Sequence, residues 1–349
     1  MATEPATETT LQGPAAWEQE AEREHVHGLG PWRLGFRRLR RNRVALFFGF
    51  LFILLILVCA AAPLWADNVA KTGPTDGHLS DTIQVDGETK NVVGLDGVPI
   101  GPQYMKADGK FFLGADGNGR DIMVRLLYGG RNSLFIGLTA ALITVFLSII
   151  LGVVSGYFRG STDAVIRTLL DILWSFPVII LATALGVALA LGGLKIGPLT
   201  IAGDSLAIPI LIIGLVYVPY MARPVRGQVM SLREKEFVEA ARAQGAGPIR
   251  IMFSEVIPNL ASTMLVFFTL LIANAVLLEA ALSFLGAGVQ PPNPSWGTMI
   301  EEGVDRIATA PHLAIVPGIM LVLTVLSLNV FGDGVRDALD PRAKVRLER

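Results

Sequence analysis

Six apolar runs punctuate this chain, at residues 44–66, 132–157, 172–191, 207–222, 259–285 and 313–331. Each is close to or above the roughly 20 residues that cross the hydrocarbon of a bilayer, so the pattern predicts six membrane-spanning helices. The polar segments between them differ in kind. Residues 67–131 are acidic, with Asp67, Asp76, Asp81, Asp86, Glu88, Asp96 and Asp108, and include the alternating stretch Thr82–Val85. The second part of that segment, 113–131, reads as amphipathic and is expected to lie at a membrane interface. Residues 1–31 are polar and without periodicity, which predicts a disordered tail.

The longest charged segment between two later runs is 231–258. Ser231 followed by Glu234 reads as a capping box opening a helix of roughly 13 residues, and Gly245 can take a left-handed conformation past its end. Pro248 then opens a second helix and Pro258 a third, because proline is tolerated where the amide has no partner. The expectation is a helix, a glycine hinge and another helix outside the membrane, in which small Ala240, Ala241 and Ala243 admit a close neighbour while Glu239 and Arg242 fix its register.

Inside the runs, Gly152 and Gly156 are spaced for close helix contact. Pro177, Pro209, Pro219 and Pro317 break or kink helices where neighbours satisfy the freed carbonyls. Asn274 and Glu279 are the polar groups of the fifth run. Two readings stand for Glu279: a group on a translocation path, or a carboxylate that only fixes packing. Asp171, at the mouth of the third run, is expected to pair with a nearby arginine such as Arg167.

Composition agrees with a membrane chain: 52% of residues are hydrophobic. One cysteine excludes an internal disulfide framework, and four scattered histidines make no metal cluster; His25 and His27 read as a solvated pair in the tail. A net charge of −1 says nothing about partners, but its distribution does. Arg33, Arg37, Arg38, Arg40, Arg41 and Arg43, with Trp32 and Phe36 among them, precede the first run, so this basic patch reads as a membrane-surface segment and not as a nucleic-acid site. With the amino terminus inside, the inside segments also hold Arg159, Arg167, Arg223, Arg226, Arg233, Lys235, Arg242, Arg250, Arg336, Arg342, Lys344, Arg346 and Arg349, while the two short outside loops hold only Lys195 and Arg306. That bias places 231–258 and both termini in the cytoplasm and 67–131 outside. Arg120, Arg125 and Arg131 are exceptions, in a long loop where the rule weakens. A signal peptide is disfavoured because the basic region begins too deep in the chain. The glycines at 114, 117 and 119 lack the Gly-Lys-Ser/Thr ending of a phosphate loop. No nucleophile–base pair appears, which argues against an enzyme. An ion-coupled secondary transporter using Asn274 and Glu279 is the rival class; the charged elbow and the scarcity of membrane carboxylates argue against it.

Glu239-Ala240-Ala241, then Gly245, then Ile257-Pro258 resembles the EAA motif of ABC-importer permeases. With it, residues 113–131, 169–172, 176–177, 226–228, 281–286, 290–297 and 332–342 are similar to the C-type membrane subunit of the dipeptide/oligopeptide/nickel ABC importers. The resemblance covers about 32–342; the acidic tail and the length of 71–110 depart from it. It implies an all-α polytopic membrane protein of six transmembrane helices with the ABC type I importer permease fold. The organisation expected is a surface segment and first span (32–66), an extracytoplasmic loop region with an interfacial helix (67–131), a five-helix core (132–335) and a cytoplasmic tail (336–349). The resemblance further implies a heterodimer with a second homologous permease, two cytoplasmic ATP-binding subunits carrying ATP and Mg, an extracytoplasmic solute-binding protein, and no cofactor or catalysis of its own. Glu236, Glu239, Ala240, Ala241, Arg242, Gly245, Ala246 and Pro258 would couple it to the ATPases. The cargo would be di- or oligopeptides, or alternatively nickel or another small solute.

Overall fold

The computed structural model describes residues 31–104, 106 and 109–339; of the expected tails at 1–31 and 336–349, residues 1–30 and 340–349, His25 and His27 included, lie outside them, while 336–339 belong to the last helix. The chain opens with α1 (Pro31–Leu39) and α2 (Arg43–Ala60). Asn42 starts α2 by accepting the Ala45 amide at 3.1 Å, which satisfies one of the first-turn donors that have no helical partner. The expected first span does not end there. Past Ala61 the run continues as α3 (Ala62–Trp65) and a π-helical turn, Ala66–Ala70, the interruption falling where Pro63 cannot supply an amide.

The alternating stretch forms β1 (Thr82–Val85), paired antiparallel with β2 (Glu88–Asn91) so that Thr82 faces Asn91. Asp86 and Gly87 both have positive φ, +53° and +82°, as a two-residue hairpin turn demands. Val92, Phe111 and Ala115 make a small core beneath this outer unit.

Next comes α4 (Ile122–Phe158), 37 residues long. The interfacial helix expected within 113–131 is not a separate element: residues 113–121 form turns, and Ile122 onward is already α4. Asp121 caps it, accepting the Val124 amide at 3.1 Å and the Phe111 amide at 2.7 Å. Burial pushes the Asp121 carboxyl up from its ordinary range while these amides hold it down.

The third run is also divided. α5 (Gly160–Trp174) and α6 (Val178–Gly192) meet at 83° around Pro177. A hairpin, β3 (Leu194–Ile196) with β4 (Leu199–Ile201), leads to α7 (Ala207–Val216) and α8 (Val218–Leu232), bent by 41°. Pro219 lacks the amide that would close on the Leu215 carbonyl, which places the break. Then follow α9 (Glu236–Ala243), α10 (Pro248–Ile251), a π-helical turn (Met252–Val256), α11 (Ile257–Phe284), α12 (Trp296–Val304) and α13 (His312–Leu339). Among the described residues four helices are individually long and apolar enough to cross a membrane, or up to six when each bent pair is counted as one span.

α4 is the central element because its buried face is made of small residues. A Cβ on Gly137 would sit 2.3 Å from Val276 of α11, one on Gly152 2.6 Å from Val225 of α8, and one on Gly156 2.8 Å from both the Arg226 carbonyl and Val229. Between them Thr144 donates to the Gly214 carbonyl at 2.8 Å, beside the α7/α8 break, and Ser148 to the Val218 carbonyl at 3.2 Å. In hydrocarbon there is no hydrophobic gain from joining two apolar helices, so backbone approach and such hydrogen bonds hold the seam. Replacing Gly156 by Val forces that seam open and is expected to cost about 1–3 kcal/mol. Thermal unfolding of the purified protein measures it, with Gly227→Val, where a Cβ meets nothing within 4 Å, as the control; equal midpoints would remove the seam from the account.

Candidate functional site

The charged elbow differs from its expected form in three ways. Ser231 is not a cap: α8 stays helical through Leu232, because Val225 and Val229 are pulled onto the α4 seam. The elbow helix is instead α9, eight residues, entered from Lys235 in an extended conformation without a side-chain cap. Pro258 stands in the first turn of α11 as expected, but that helix is not detached from the one before it: 248–284 runs on through the π-helical turn. Proline at 258 removes an amide and crowds the preceding turn, and widening that turn by one residue is how the helix absorbs it.

Gly245 has φ +82° and closes α9 with a pair of bonds: the Ala246 amide reaches the Ala241 carbonyl at 3.0 Å and the Gly245 amide the Arg242 carbonyl at 2.9 Å. This is the six-to-one and five-to-two pattern that satisfies the last carbonyls of a helix, and Ala241 and Ala246 on either side of it both pack against the core. Glu236, Glu239, Ala240, Arg242 and Gly245 face outward, as does Pro258 at the start of α11. Phe237, Ile249 and Phe253 are exposed among them, so the surface alternates apolar and charged groups.

What holds the elbow is one side chain and three polar ties. Val238 is fully buried in the cluster that contains Tyr157 of α4, Val229 of α8 and Ile251, Met252 and Val256 of the helix leading into α11. The guanidinium groups of Arg233 and Arg242 both lie 5.8 Å from the centre of the Tyr157 ring. Arg233 also donates to the Tyr157 carbonyl, and Arg159 pairs with Glu234 at 2.5 Å, which keeps the exposed Glu234 carboxyl below its ordinary range. The elbow is thus fastened to the ends of three membrane elements at once. Tyr157 was invisible to sequence reasoning here, since it sits inside an apolar run with nothing to set it apart.

Glu279 is fully buried where three elements meet. Ser283 donates to its Oε1 at 2.7 Å, and the hydroxyls of Ser133 from α4 and Ser295 at the start of α12 stand around it. Each of these hydroxyls already accepts a backbone amide, from Val289, Trp296 and Thr298 respectively, so its proton is left for the carboxyl group. Asn274 lies five residues earlier on α11, half-buried; its carbonyl receives the Tyr217 hydroxyl at 3.3 Å. The structure therefore does not bring Asn274 and Glu279 into one site. Asp171 pairs with Arg223 at 2.7 Å and not with Arg167, because α5 packs on α8 there, with Trp174 stacked on Tyr220.

At the far end of α4, two of the three arginines that broke the charge rule are accounted for, while Arg131 is exposed on the helix. Arg125 is buried between Asp116, at 3.3 Å, and Glu302 of α12, at 2.9 Å, and Arg120 joins the same two acids at 2.7 and 2.8 Å. Two positive and two negative groups balance, which is how charge is buried at bearable cost.

Residues 148–345 match the family model described as binding-protein-dependent transport system inner membrane component, and residues 30–80 match the N-terminal TM domain of oligopeptide transport permease C. The chain is 35% identical over 314 residues to a glutathione transport system permease protein GsiD of Pectobacterium atrosepticum, covering 90% of this chain and 92% of the relative. It is 35% identical over 317 residues to a dipeptide transport system permease protein DppC of Alkalihalophilus pseudofirmus, covering 90% and 91%. Among solved structures, an inward-facing form of the MetNI methionine ABC transporter superposes with a TM-score of 0.51 at 20% identity, over 62% of this chain and 97% of that one; at that identity the likeness speaks for the fold.

The serine cradle gives a test. Glu279→Gln keeps one oxygen for Ser283 but puts a donor nitrogen where the second carboxylate oxygen stood, beside the Ser133 and Ser295 hydroxyls, at about 1–3 kcal/mol for each buried group left unpaired. The melting point of the purified protein should fall, with Glu279→Ala falling further; unchanged melting with impaired function would instead put the carboxylate on the path.

Proposed function

This chain belongs to the binding-protein-dependent transport system inner membrane components, the permease subunits of ABC importers, and on that premise we propose how it couples ATP hydrolysis to the movement of a peptide-sized solute. It is a multi-pass membrane protein that works within a transporter complex. In the reading proposed, a second homologous permease completes the path, two cytoplasmic ATPases bind ATP and Mg, and an extracytoplasmic binding protein delivers the solute. Both termini and the elbow face the cytoplasm, in keeping with the excess of arginine on that side. The chain contributes no catalysis and no cofactor.

The observation that carries the mechanism is the burial of Val238 among residues of α4, α8 and the helix entering α11. An ATPase seated on Glu236, Glu239, Ala240, Arg242 and the Gly245 turn would grip a lever already clamped to three spans. Displacing α9 moves Tyr157 with it through the Arg242 guanidinium contact, and moves α11 through a helix unbroken from 248 to 284. ATP closes the ATPase pair, and the clamp makes one arrangement of the spans share that preference; the shift is as large as the difference in docking free energy between the arrangements.

Peptides are the cargo class favoured by the relatives, whose names give glutathione and dipeptide. Nickel or another small solute is the alternative, and selection rests on the binding protein.

Gly245→Pro cannot keep φ +82° and removes the amide that bonds to Arg242, so it should dismantle the elbow. Glu239→Lys should misplace its partner by charge. In vesicles holding the full complex, both are expected to lower uptake about tenfold or more while ATP hydrolysis continues; full uptake by both would refute the coupling role. The cargo is checked by asking which solutes, from peptide pools to metal chelates, stimulate ATP hydrolysis by the complex with its binding protein, with peptides expected to do so.

A further inference from the structure

We propose that Arg223, Asp171, Trp174 and Tyr220 form a binding station for small zwitterions, with the guanidinium taking a carboxylate and Asp171 an ammonium group. The proposal rests on the transport reading above and adds to it a specific point of contact on the path. Arg223 lies over the Trp174 ring at 5.1 Å and pairs with Asp171 at 2.7 Å. Tyr220 stacks on Trp174 with ring centres 6.4 Å apart and planes 25° from parallel, and Tyr217 meets Tyr220 edge-on before its hydroxyl reaches the Asn274 carbonyl. Two charges of opposite sign and a surface of aromatic rings are thereby assembled from α5 and α8, elements distant in sequence.

Three features say that this cluster faces a water-filled space. Its members are open in this chain: Arg223 and Asp171 side chains are 39% and 55% exposed, Trp174 41% and Tyr220 40%. It also sits at the inner end of the membrane body: Arg223 is one residue past the fourth apolar run and Asp171 one residue before the third, on the side that holds the excess of arginine. An ion pair at that boundary meets water and not hydrocarbon. Finally, both helices that carry the cluster are the broken ones, with bends of 83° and 41°, and Pro224 removes the amide that would close on the Tyr220 carbonyl. Irregular backbone at membrane depth is tolerated where it is covered by protein or lines a cavity.

The pair is partly solvated, so a solute that supplies its own carboxylate and ammonium can exchange partners with it, two salt contacts for one, without leaving either protein charge alone. Its side chains would slide over the rings, which accept many shapes. A neutral solute of the same size gains neither contact.

The test uses the full complex with its binding protein in vesicles, and dialanine, dialaninamide and N-acetyl-dialanine as probes. Arg223→Gln should lower the ratio of dialanine to dialaninamide uptake about tenfold, the loss expected for one charge-assisted hydrogen bond, and Asp171→Asn should do the same to the ratio of dialanine to N-acetyl-dialanine. Equal losses for every probe, or unaltered ratios, would overturn the station while leaving the transport reading intact. A second measurement does not depend on transport. In a Tyr220→Cys complex a water-soluble thiol reagent should label the new cysteine, and dialanine should slow the labelling; the buried native Cys59 adds little background. Absence of labelling would overturn the station, whereas wild-type complex that takes up no probe and is stimulated by none would overturn the peptide reading instead.

Discussion

The architecture depends on how closely other helices approach α4. Gly137, Gly152 and Gly156 remove the side chains that would hold α11 and α8 at arm's length, and Thr144 and Ser148 use the resulting proximity to reach backbone carbonyls across the seam. In water such a seam would be reinforced by expulsion of solvent. In a bilayer it is held by dispersion and hydrogen bonding alone, so contact distance decides everything. It also explains why α8 overruns its expected end: Val225 and Val229 are worth more on α4 than a capping box at Ser231 is to a free helix.

Since α4 is long, what is fastened to its two ends is mechanically connected. One end carries Arg125, locked between Asp116 and Glu302; the other carries Tyr157, gripped by Arg233 and Arg242 of the elbow. The two lie 32 residues apart, about 48 Å along one helix. The outer unit therefore does not hang loosely between two spans. It is bolted to the start of α4 and to α12, while the same helix, at its other end, receives the lever. A permease that must transmit motion across a membrane benefits from a stiff element with a firm joint at either end.

The buried charged groups at the start of α4 and on α11 are met by donors or charges brought from elsewhere in the chain, although one Glu279 oxygen and one Arg125 nitrogen have no partner among the described residues. Arg120 and Arg125 are met by two carboxylates, Glu279 by three serine hydroxyls that backbone amides have already oriented, and Asp121 by the amides of Val124 and Phe111. The exposed exception is the Arg223–Asp171 pair with its aromatic neighbours, which is satisfied only in part and looks away from the core.

The sequence alone determined the membrane class, the number of apolar runs, the elbow with its glycine, and the close-contact pair Gly152 and Gly156. These are legible because length, periodicity and residue size are local properties, and because the elbow carries a short motif at a distinctive spacing. The tertiary structure decided where helices begin, bend and pair. Arg125 looks like a loop residue to any local average; only with Asp116 and Glu302 in place, the latter 177 residues away, is its charge met inside the helix. Asp171 has Arg167 four residues off along its own helix, yet the packing of α5 on α8 delivers it to Arg223. Tyr157 and Ser133 acquire roles only from what folds against them. A pattern along one chain reports which residues prefer to be buried, but the partner that neutralises a charge or fills a notch is a matter of three-dimensional proximity, and that is set when the helices close on one another.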